Sequence, residues 1–268
     1  MIAGYSGATR IYPIIGDPIA QVKSPVTMTT GLRARGVDAI IVPVHVTPAD
    51  ADAVVTALAR AKNIDGLIAT VPHKFTAYRH CATATPRARL LEAANMIRRN
   101  ADGTWHGDML DGLAFVETAR RIGVGFAGVR ALLIGAGGAG SAIGLALLEA
   151  GVAELAIHDA SVERRDALLR KLEAHHPGMA RPGSSDPTGY AVIANATPSG
   201  MVGGNDMPPV DLERLTSQMF VGDVVTDPAM TPLLVAAERA GARIRTGVDM
   251  VTTAVDLQVD FLLGSEAR

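Results

Sequence analysis

Cysteine is almost absent from this chain of 268 residues, because Cys81 is its only one. A single thiol excludes an internal disulfide and any metal site built from several cysteines, and it fits a reducing compartment. Charge is also sparse, with 19% charged residues and a formal net charge of -2. A surface without a basic excess does not attract a phosphate backbone, so nucleic acid is not expected as a partner.

Long apolar runs are missing as well. No stretch reaches the roughly 18 apolar residues that span a bilayer, and the N-terminal MIAGYSGATR has no apolar signal-peptide segment. We therefore expect a cytoplasmic protein, a monomer or homodimer, with no membrane partner. Hydrophobic residues in total are abundant at 48%, which is enough core material for one large or two ordinary domains.

Short β-branched runs alternate with amphipathic stretches in the first part of the chain. In order these are RIYPIIG (10–16), 24–35, AIIVPVHV (39–46), 48–61 and IDGLIATV (64–71). The alternation predicts βαβ units around a largely parallel sheet. The segment 175–189 is rich in Gly, Pro and Ser instead, and it predicts a surface loop.

A second series of alternating runs follows a helix-like segment at 111–123, so a second sheet is expected. The last amphipathic stretch has an apolar helical face that would pack on the first domain, made of Met250, Ala254, Leu257, Phe261 and Leu262. The predicted fold is α/β, with an N-terminal open α/β substrate domain and a C-terminal Rossmann-type NAD(P)-binding domain. The substrate domain would be 1–110 completed by 248–268, and the second domain 111–247.

Gly135, Gly137 and Gly140 form a GxGxxG pattern between an apolar run and a helical one. Small residues here allow a tight turn, close approach of a pyrophosphate and access to the amides of a helix N-terminus. The whole segment is therefore predicted to bind a dinucleotide, through Gly135, Ala136, Gly137, Gly138, Ala139 and Gly140. A merely flexible glycine turn is the alternative interpretation.

Asp159 follows His158 at the end of the next predicted strand, and both residues are predicted to contact the cofactor. A carboxylate at this place accepts hydrogen bonds from a ribose 2′-hydroxyl and repels a 2′-phosphate, so NAD is expected in preference to NADP. Arg164 and Arg165 lie in the following helix, and one of them would bind that phosphate instead, so NADP stays the second possibility. Asp159 also suits a helix cap or turn, which needs no cofactor.

Lys74 ends the segment ATVPHK, in which Pro72 cannot continue a central strand. The chain must turn there and present Lys74 at the carboxyl edge of the sheet, where ligands of open α/β sheets gather. A single lysine is usually a solvated surface residue. Asn95 and Asp111, however, lie near the predicted end of the same domain, and together the three predict a site.

Seven ordered motifs resemble those of the shikimate dehydrogenase family, over nearly the whole chain. They are GDPIAQVKSP (16–25), ATVPHK (69–74), AANMIR (93–98), GDMLDG (107–112), GAGGAG (135–140), NATPSGM (195–201) and DPAMTPLL (227–234). The resemblance implies a two-domain oxidoreductase with a cleft, in which Lys74 and Asp111 flank the reacting hydroxyl. A general base within reach of that hydroxyl fits the loss of its proton during hydride transfer.

Several polar positions of the family's substrate pocket are apolar here. Val22 stands where the family has the first of two serines that hold a carboxylate, and Met109 where it has an asparagine. Ile68 replaces another asparagine and Ala254 a glutamine. The substrate-binding residues implied are Ser24, Thr70, Asn95, Val22, Ile68, Ala254 and, as a wall residue, Met250. Val22 and Ile68 are also compatible with plain core packing.

A polar group buried without a partner costs about 1 to 3 kcal/mol. We therefore expect a small cyclic hydroxy acid related to shikimate, with weak or no activity on shikimate itself. A true shikimate or quinate dehydrogenase is the close alternative, and an NAD-binding sensor without efficient chemistry is the distant one. Retention of Lys74, Asn95 and Asp111 favours an enzyme, because a sensor needs no proton-transfer pair.

By the same resemblance, the loop of NATPSGM lies against the cofactor, through Asn195, Ala196, Thr197 and Pro198. The segment is equally a plain turn signal. Val225, at the end of another predicted strand, and Gly247 are expected on the nicotinamide side. The histidines show no ligand spacing, so no metal is expected.

Overall fold

The chain divides into two compact units in a computed structural model that describes residues 4–204 and 207–264. Unit 1 contains the residues up to Leu110 together with those from Ala254 onward, and unit 2 contains Asp111–Thr253. The second division lies inside the last helix and not at the predicted residue 248. The last helix begins at Gly247, so the predicted boundary falls at its start, whereas the first part of the helix still belongs to unit 2.

Unit 1 is built on a mixed six-stranded sheet. Its strands are β1 (Arg10–Gly16), β2 (Ala39–His45), β3 (Gly66–Ala69), β4 (Cys81–Ala84), β5 (Met96–Arg99) and β6 (Trp105–Asp108). Their order is β2-β1-β3-β5-β6-β4, and only β5 runs antiparallel to its neighbours. The strands β1 and β3 are continuous apolar runs, as expected for strands covered on both faces.

Four helices of unit 1 connect these strands. They are α1 (Ser24–Ala34), α2 (Ala51–Leu58), α3 (Lys74–Arg79) and α4 (Pro86–Leu91). The start of α4 shows why the chain turns helical there: Pro86 lies in the first turn, and the Thr85 hydroxyl accepts a hydrogen bond from the Ala88 N–H. Helix α2 is shorter than the predicted 48–61.

Unit 2 contains a six-stranded sheet in which every strand pair is parallel. Its strands are β7 (Arg130–Ile134), β8 (Glu154–His158), β9 (Ala180–Pro182), β10 (Val192–Asn195), β11 (Phe220–Asp223) and β12 (Arg243–Arg245). The order β12-β11-β10-β7-β8-β9 reverses beside β7, because the chain returns from β9 to the other side of that strand. Ligands of doubly wound sheets bind at such a reversal.

Strand β9 corrects the prediction of a surface loop at 175–189. It has only three residues and pairs on one side, with β8, at the edge of the sheet. Two of its residues, Arg181 and Pro182, are exposed. A strand so short and polar has none of the apolar alternation by which strands are recognised in a sequence.

The helices of unit 2 are α5 (Asp111–Arg120), α6 (Gly138–Glu149), α7 (Val162–Glu173), α8 (Pro232–Arg239) and the first part of α9 (Gly247–Leu262), with a short 3₁₀ helix at Leu212–Arg214. Helices α5 and α6 lie close together at Gly112, where a Cβ would overlap the carbonyl group of Ala142. Within residues 4–204 and 207–264, no helix combines the length and apolarity that crossing a bilayer requires.

From Ala254 onward, α9 belongs to unit 1. The Phe261 ring stacks on His106 of β6 at a centroid distance of 5.9 Å. The Leu262 side chain covers Gly66, at the start of β3. Val255 and Val259 of α9 pack against Gly31 of α1. This part of α9 therefore completes the core of unit 1.

Candidate active site

Lys74 is positioned by the turn that follows β3. The Thr70 N–H donates to the Ile15 carbonyl at 3.0 Å, and the His73 N–H donates back to the Thr70 carbonyl at 2.8 Å. Helix α3 then begins at Lys74, whose own carbonyl accepts a hydrogen bond from the Ala94 N–H at 2.9 Å. Lys74 is half-buried. The backbone of the lysine is thus attached directly to the segment that carries Asn95.

Asn95 is buried beside this bond and links it to the end of unit 1. Its side-chain oxygen accepts a hydrogen bond from the Leu110 N–H at 2.9 Å. Leu110 precedes Asp111, the first residue of α5. Two hydrogen bonds therefore connect three segments that are distant in sequence, and these segments carry Lys74, Asn95 and the residue next to Asp111.

Asp108 also anchors this region, and sequence reasoning missed it. Its fully buried carboxylate accepts from the Thr85 hydroxyl at 2.6 Å, from Arg87 Nε and Nη2 at 2.7 and 2.6 Å, and from the Met109 N–H at 2.7 Å. The aspartate stands inside a recognised motif, but no spacing rule connects it with Arg87. Together Asp108 and Asn95 fix the backbone of Met109 and Leu110.

The predicted substrate residues of unit 1 differ in burial. Ser24, Thr70 and Val22 are half-buried, whereas Ile68 and Ala254 are buried. Thr70 packs against Gly16, where a Cβ would overlap its methyl group. Ile68 pairs with Met96 across β3 and β5, which makes it part of the core as well as a candidate pocket residue. Met250 is half-buried in the part of α9 that belongs to unit 2.

The glycine segment of unit 2 forms a tight strand-to-helix turn. Gly135 has a φ of +99° and donates its N–H to the His158 carbonyl at 2.7 Å. A Cβ on Gly140 would overlap the Gly135 carbonyl oxygen, so only glycine fits there. A Cβ on Gly137, which caps α6, would meet no atom within 4 Å. The open space at this helix N-terminus, with Gly138 and Ala139 in the first turn, suits a pyrophosphate.

Asp159 directly follows β8, as the sequence predicts, and its carboxylate is already engaged. It accepts from the Ala136 N–H, the Ser161 N–H and Arg164 Nη2, each at 2.7 Å. Burial raises the pKa of Asp159, but the bonds from Arg164, Ala136 and Ser161 outweigh it, so the pKa lies below its usual value. Ser161 and not Asp159 caps α7, through a bond from the Arg164 N–H.

Asn195 is fully buried at the end of β10 and holds the loop that follows. Its Nδ2 donates to Asp223 at 3.0 Å, and its oxygen accepts from the Thr197 N–H at 3.1 Å and the Thr197 hydroxyl at 2.7 Å. The Ala196 N–H donates to Ile134 at 2.7 Å, and Pro198 is exposed. Thr197 and Pro198 therefore offer the accessible surface of this loop, while Asn195 shapes it from within.

Asp223 is a second functional candidate that sequence reasoning missed. Besides Asn195, its carboxylate accepts from the Val225 N–H at 3.0 Å and the Thr231 hydroxyl at 2.8 Å. Burial raises its pKa from 3.8 to about 6, even though these bonds oppose the rise. In the sequence, Asp223 could have been noticed only because it ends an apolar run. Polar residues are common at the ends of strands, so this position alone does not indicate a functional residue.

Val225 lies just beyond β11, which ends at Asp223, and so it is not a strand residue as predicted. The reason is that its N–H bonds the Asp223 side chain and not a neighbouring strand. Gly247 comes so close that a Cβ would overlap the Val225 carbonyl. In the part of the chain that the structure describes, no group of three or more His, Cys, Asp or Glu could hold a metal.

The all-parallel sheet, the glycine turn and the acid after β8 define unit 2 as a Rossmann-type dinucleotide-binding domain. Comparison with known proteins identifies the family of the whole chain. The chain belongs to the shikimate dehydrogenase family, as its motifs predict. Residues 14–97 match the family model described as the shikimate dehydrogenase substrate binding domain.

Relatives and solved structures agree over nearly the whole chain. A shikimate dehydrogenase (NADP(+)) of Acidiphilium cryptum is 36% identical across 92% of this chain and 87% of its own length. The 5-ketofructose reductase of a Gluconobacter strain is 27% identical with a TM-score of 0.80, covering 97% of this chain and 95% of that one. Shikimate 5-dehydrogenase of Listeria monocytogenes, solved with shikimate and NAD, shares the fold, with a TM-score of 0.85 at 22% identity and coverage of 99% and 96%.

Proposed function

We propose that the chain interconverts a secondary alcohol and a ketone on a small hydroxylated substrate, with a nicotinamide dinucleotide as co-substrate. The observation that carries this proposal is the hydrogen-bonded arrangement around Asn95. The Lys74 carbonyl binds the Ala94 N–H, and the Asn95 side chain binds the Leu110 N–H. A protein that only binds a nucleotide has no use for a lysine and an aspartate attached to such a framework.

In the proposed reaction, the Lys74 amine accepts the proton of the substrate hydroxyl, and Asp111 orients that hydroxyl and the resulting ammonium. A nicotinamide dinucleotide held at the glycine turn, by Gly135, Gly137 and the first turn of α6, would supply the hydride acceptor for the carbinol carbon. The alcohol and the oxidised dinucleotide thus give the ketone, the reduced dinucleotide and one proton. Lys74 holds this proton before it is released. In the reverse direction the lysine ammonium donates the proton to the ketone oxygen.

NADP(H) is the cofactor that we propose, in place of the NAD preference expected from Asp159 alone. The carboxylate that would repel a 2′-phosphate is paired with Arg164 at 2.7 Å. The Arg164 side chain is 61% exposed, so its remaining donors are available to an anion. The NADP(+) in the names of relatives such as that of Acidiphilium cryptum supports the same choice and does not confirm the NAD preference.

The substrate that we propose depends less on its carboxylate and ring hydroxyls than shikimate does. Val22, Ile68, Met109 and Ala254 offer no hydrogen bonds from their side chains, whereas shikimate would bury several polar groups. The 5-ketofructose reductase among the similar structures favours a keto sugar or related polyol as a second candidate class. The 36% identity to a named shikimate dehydrogenase favours shikimate instead, and one assay separates them.

That assay measures absorbance at 340 nm with shikimate, quinate and 5-ketofructose, each with NADP and with NAD in the appropriate redox state. We expect turnover with NADP and a shikimate kcat/KM below about 10⁴ M⁻¹s⁻¹, the lower range of efficient enzymes. A higher value would identify a true shikimate dehydrogenase. Thermal stabilisation by dinucleotide without turnover of any compound would instead indicate a sensor.

Replacement of the proposed base gives a direct test of the mechanism. The Lys74→Ala variant should lose at least about 100-fold in kcat, because general acid-base groups contribute on that scale. Its melting temperature and its affinity for NADP should stay near those of the wild type. Lys62→Ala, at an exposed lysine of the same unit, is the matched control. Near-normal kcat in Lys74→Ala would rule out the proposed role.

A further inference from the structure

Asp223 is a buried carboxyl group to which the proposed reaction gives no role. It ends β11, and Asn195, its register partner in the neighbouring strand, ends β10. A loop follows each strand end, at 196–202 and at 224–231. Because burying a carboxyl group is costly, the groups that bind this one indicate what it does for the protein.

The two oxygens of Asp223 bind different segments. Oδ1 accepts from Asn195 Nδ2 and from the Val225 N–H, both at 3.0 Å. Oδ2 accepts from the hydroxyl of Thr231, which also caps α8. Oδ1 therefore joins the end of β10 to the loop after β11, whereas Oδ2 holds the start of a helix.

The bond to Asp223 also decides how the Asn195 amide is oriented. Above its pKa of about 6, Asp223 is a carboxylate, which can only accept hydrogen bonds, so the NH₂ group of Asn195 must face it. The amide oxygen then faces the first loop, where it accepts from the Thr197 N–H at 3.1 Å and the Thr197 hydroxyl at 2.7 Å. Without the carboxylate, the amide is free to turn and to present its NH₂ group to these two donors. The position of Thr197 thus depends on Asp223.

Both loops have contacts that place them at the carboxyl edge of the sheet. A Cβ on Gly135, in the glycine turn, would lie 2.9 Å from the Ala196 carbonyl oxygen and 2.9 Å from the Thr197 methyl group. The first loop therefore lies directly against the turn that suits a pyrophosphate. In the second loop, the Val225 carbonyl lies against Gly247, where a Cβ would overlap it.

The order of the strands indicates which half of a dinucleotide these loops would meet. Asp159 follows β8, on the side of β7 where the adenosine ribose of a dinucleotide is bound, and β10 and β11 lie on the other side of β7. We propose that Asp223 is a positioning residue, which acts through Asn195 and Val225 to hold the two loops against which the nicotinamide half binds. This inference rests on the proposed function, since it assumes a nicotinamide dinucleotide.

The test compares the binding of NADP with that of 2′,5′-ADP, which is the adenosine half of NADP without the nicotinamide. In Asp223→Leu, which keeps the size of the side chain and removes both oxygens, the affinity for NADP should fall at least about tenfold, as expected when a buried hydrogen-bonded link is lost. The affinity for 2′,5′-ADP should not change. Calorimetric titration measures both affinities without any turnover.

Asp223→Asn should restore the affinity for NADP. Its amide oxygen can replace Oδ1, and its NH₂ group can donate to the Thr231 hydroxyl. Thr231→Val is the matched control, because it removes the bond to Oδ2 and the cap of α8 but leaves the bonds to Oδ1. Its melting temperature should fall, while the ratio of its affinities for NADP and 2′,5′-ADP should equal that of the wild type.

A merely structural role predicts that Asp223→Leu weakens the binding of NADP and 2′,5′-ADP in parallel. That result would overturn the inference, as would an unchanged affinity for NADP. If Asp223→Leu does not fold, Asn195→Ser takes its place, because a serine at this buried position is too short to reach Thr197. The same selective loss of NADP binding is expected, and its absence would again overturn the inference.

Failure of the proposed function looks different. Selective loss of NADP binding in Asp223→Leu, from a wild type that turns over no substrate, would leave the inference standing while the proposed reaction fails. If the wild type binds NAD in preference, NAD and AMP replace NADP and 2′,5′-ADP in the same comparison. A wild type that binds neither dinucleotide would overturn both the inference and the proposed function.

Discussion

Asp223 shows how a single buried carboxyl makes stability depend on pH. Its pKa is raised by burial from 3.8 to about 6, and the hydrogen bonds from Val225, Thr231 and Asn195 only partly offset this rise. Between about pH 4 and pH 6 the folded protein keeps a proton that the unfolded chain has lost. The free energy of unfolding therefore contains a contribution from Asp223 that is full at lower pH and is lost as the pH rises through 6.

The Asp223→Asn variant should lack this dependence, because an amide does not titrate. The unfolding free energy of the variant minus that of the wild type should increase from pH 4 to pH 6 and then level off. The total change is about 3 kcal/mol, the equivalent of the shift in pKa. Urea unfolding of both proteins at several pH values measures it, and the subtraction cancels all other titrating groups. A constant difference across this range would contradict the assignment.

For single residues, the sequence predicts the position along a strand well, but it does not predict the hydrogen-bond partners of the side chain. It predicts Asp159 at the end of a strand, because apolar runs reveal where strands stop. The ion pair with Arg164 and the bond from the Ala136 N–H, which weaken the argument for NAD, arise from side-chain placement in the folded turn.

Among the elements, the turn from β7 into α6 separates two uses of glycine. Gly140 has no room for a side chain because the Gly135 carbonyl faces it, whereas Gly137 faces open space. Gly137 also has an ordinary φ of -75°, which alanine adopts without strain. Gly140 therefore serves the packing of the turn, and Gly137 leaves space for a ligand.

Two alanine variants test this distinction. Gly137→Ala should fold with an unchanged melting temperature but bind NADP at least about tenfold more weakly, because the added methyl group occupies the pyrophosphate space. Gly140→Ala should lower the free energy of unfolding by about 1 to 3 kcal/mol, as overpacking does. Calorimetry and titration of NADP supply the two measurements. Equal loss of stability in both variants would show that Gly137 is also a packing residue.

Long apolar runs allow elements to be predicted well, and short polar ones do not. The run at 10–16 forms β1 with the predicted bounds, and the stretch at 24–35 forms α1 to within one residue. Strand β9 was missed, because its pairing with β8 depends on the neighbouring strand and not on its own composition. The end of β11 was placed too late, because the apolar residues after it resemble strand residues.

For the whole molecule, order along the chain revealed more than composition. Two successive series of alternating strands and helices predict two sheets, and the motifs predict the family, which the relatives confirm. The site in unit 1 needed coordinates, because hydrogen bonds at Lys74, Asn95 and Leu110 join segments that no local pattern connects. The sequence also does not show at which residue α9 passes from unit 2 to unit 1, because the helical pattern of α9 is continuous.

The contribution of α9 to unit 1 also sets an order of events during synthesis. A ribosome makes the first 110 residues long before Val255, Val259 and Phe261, which cover Gly31 and His106. Until the last helix emerges, the face of the first sheet that it covers remains open to water. Unit 2, whose residues are contiguous, can be finished earlier. The half of the protein that is made first is therefore the half that is completed last.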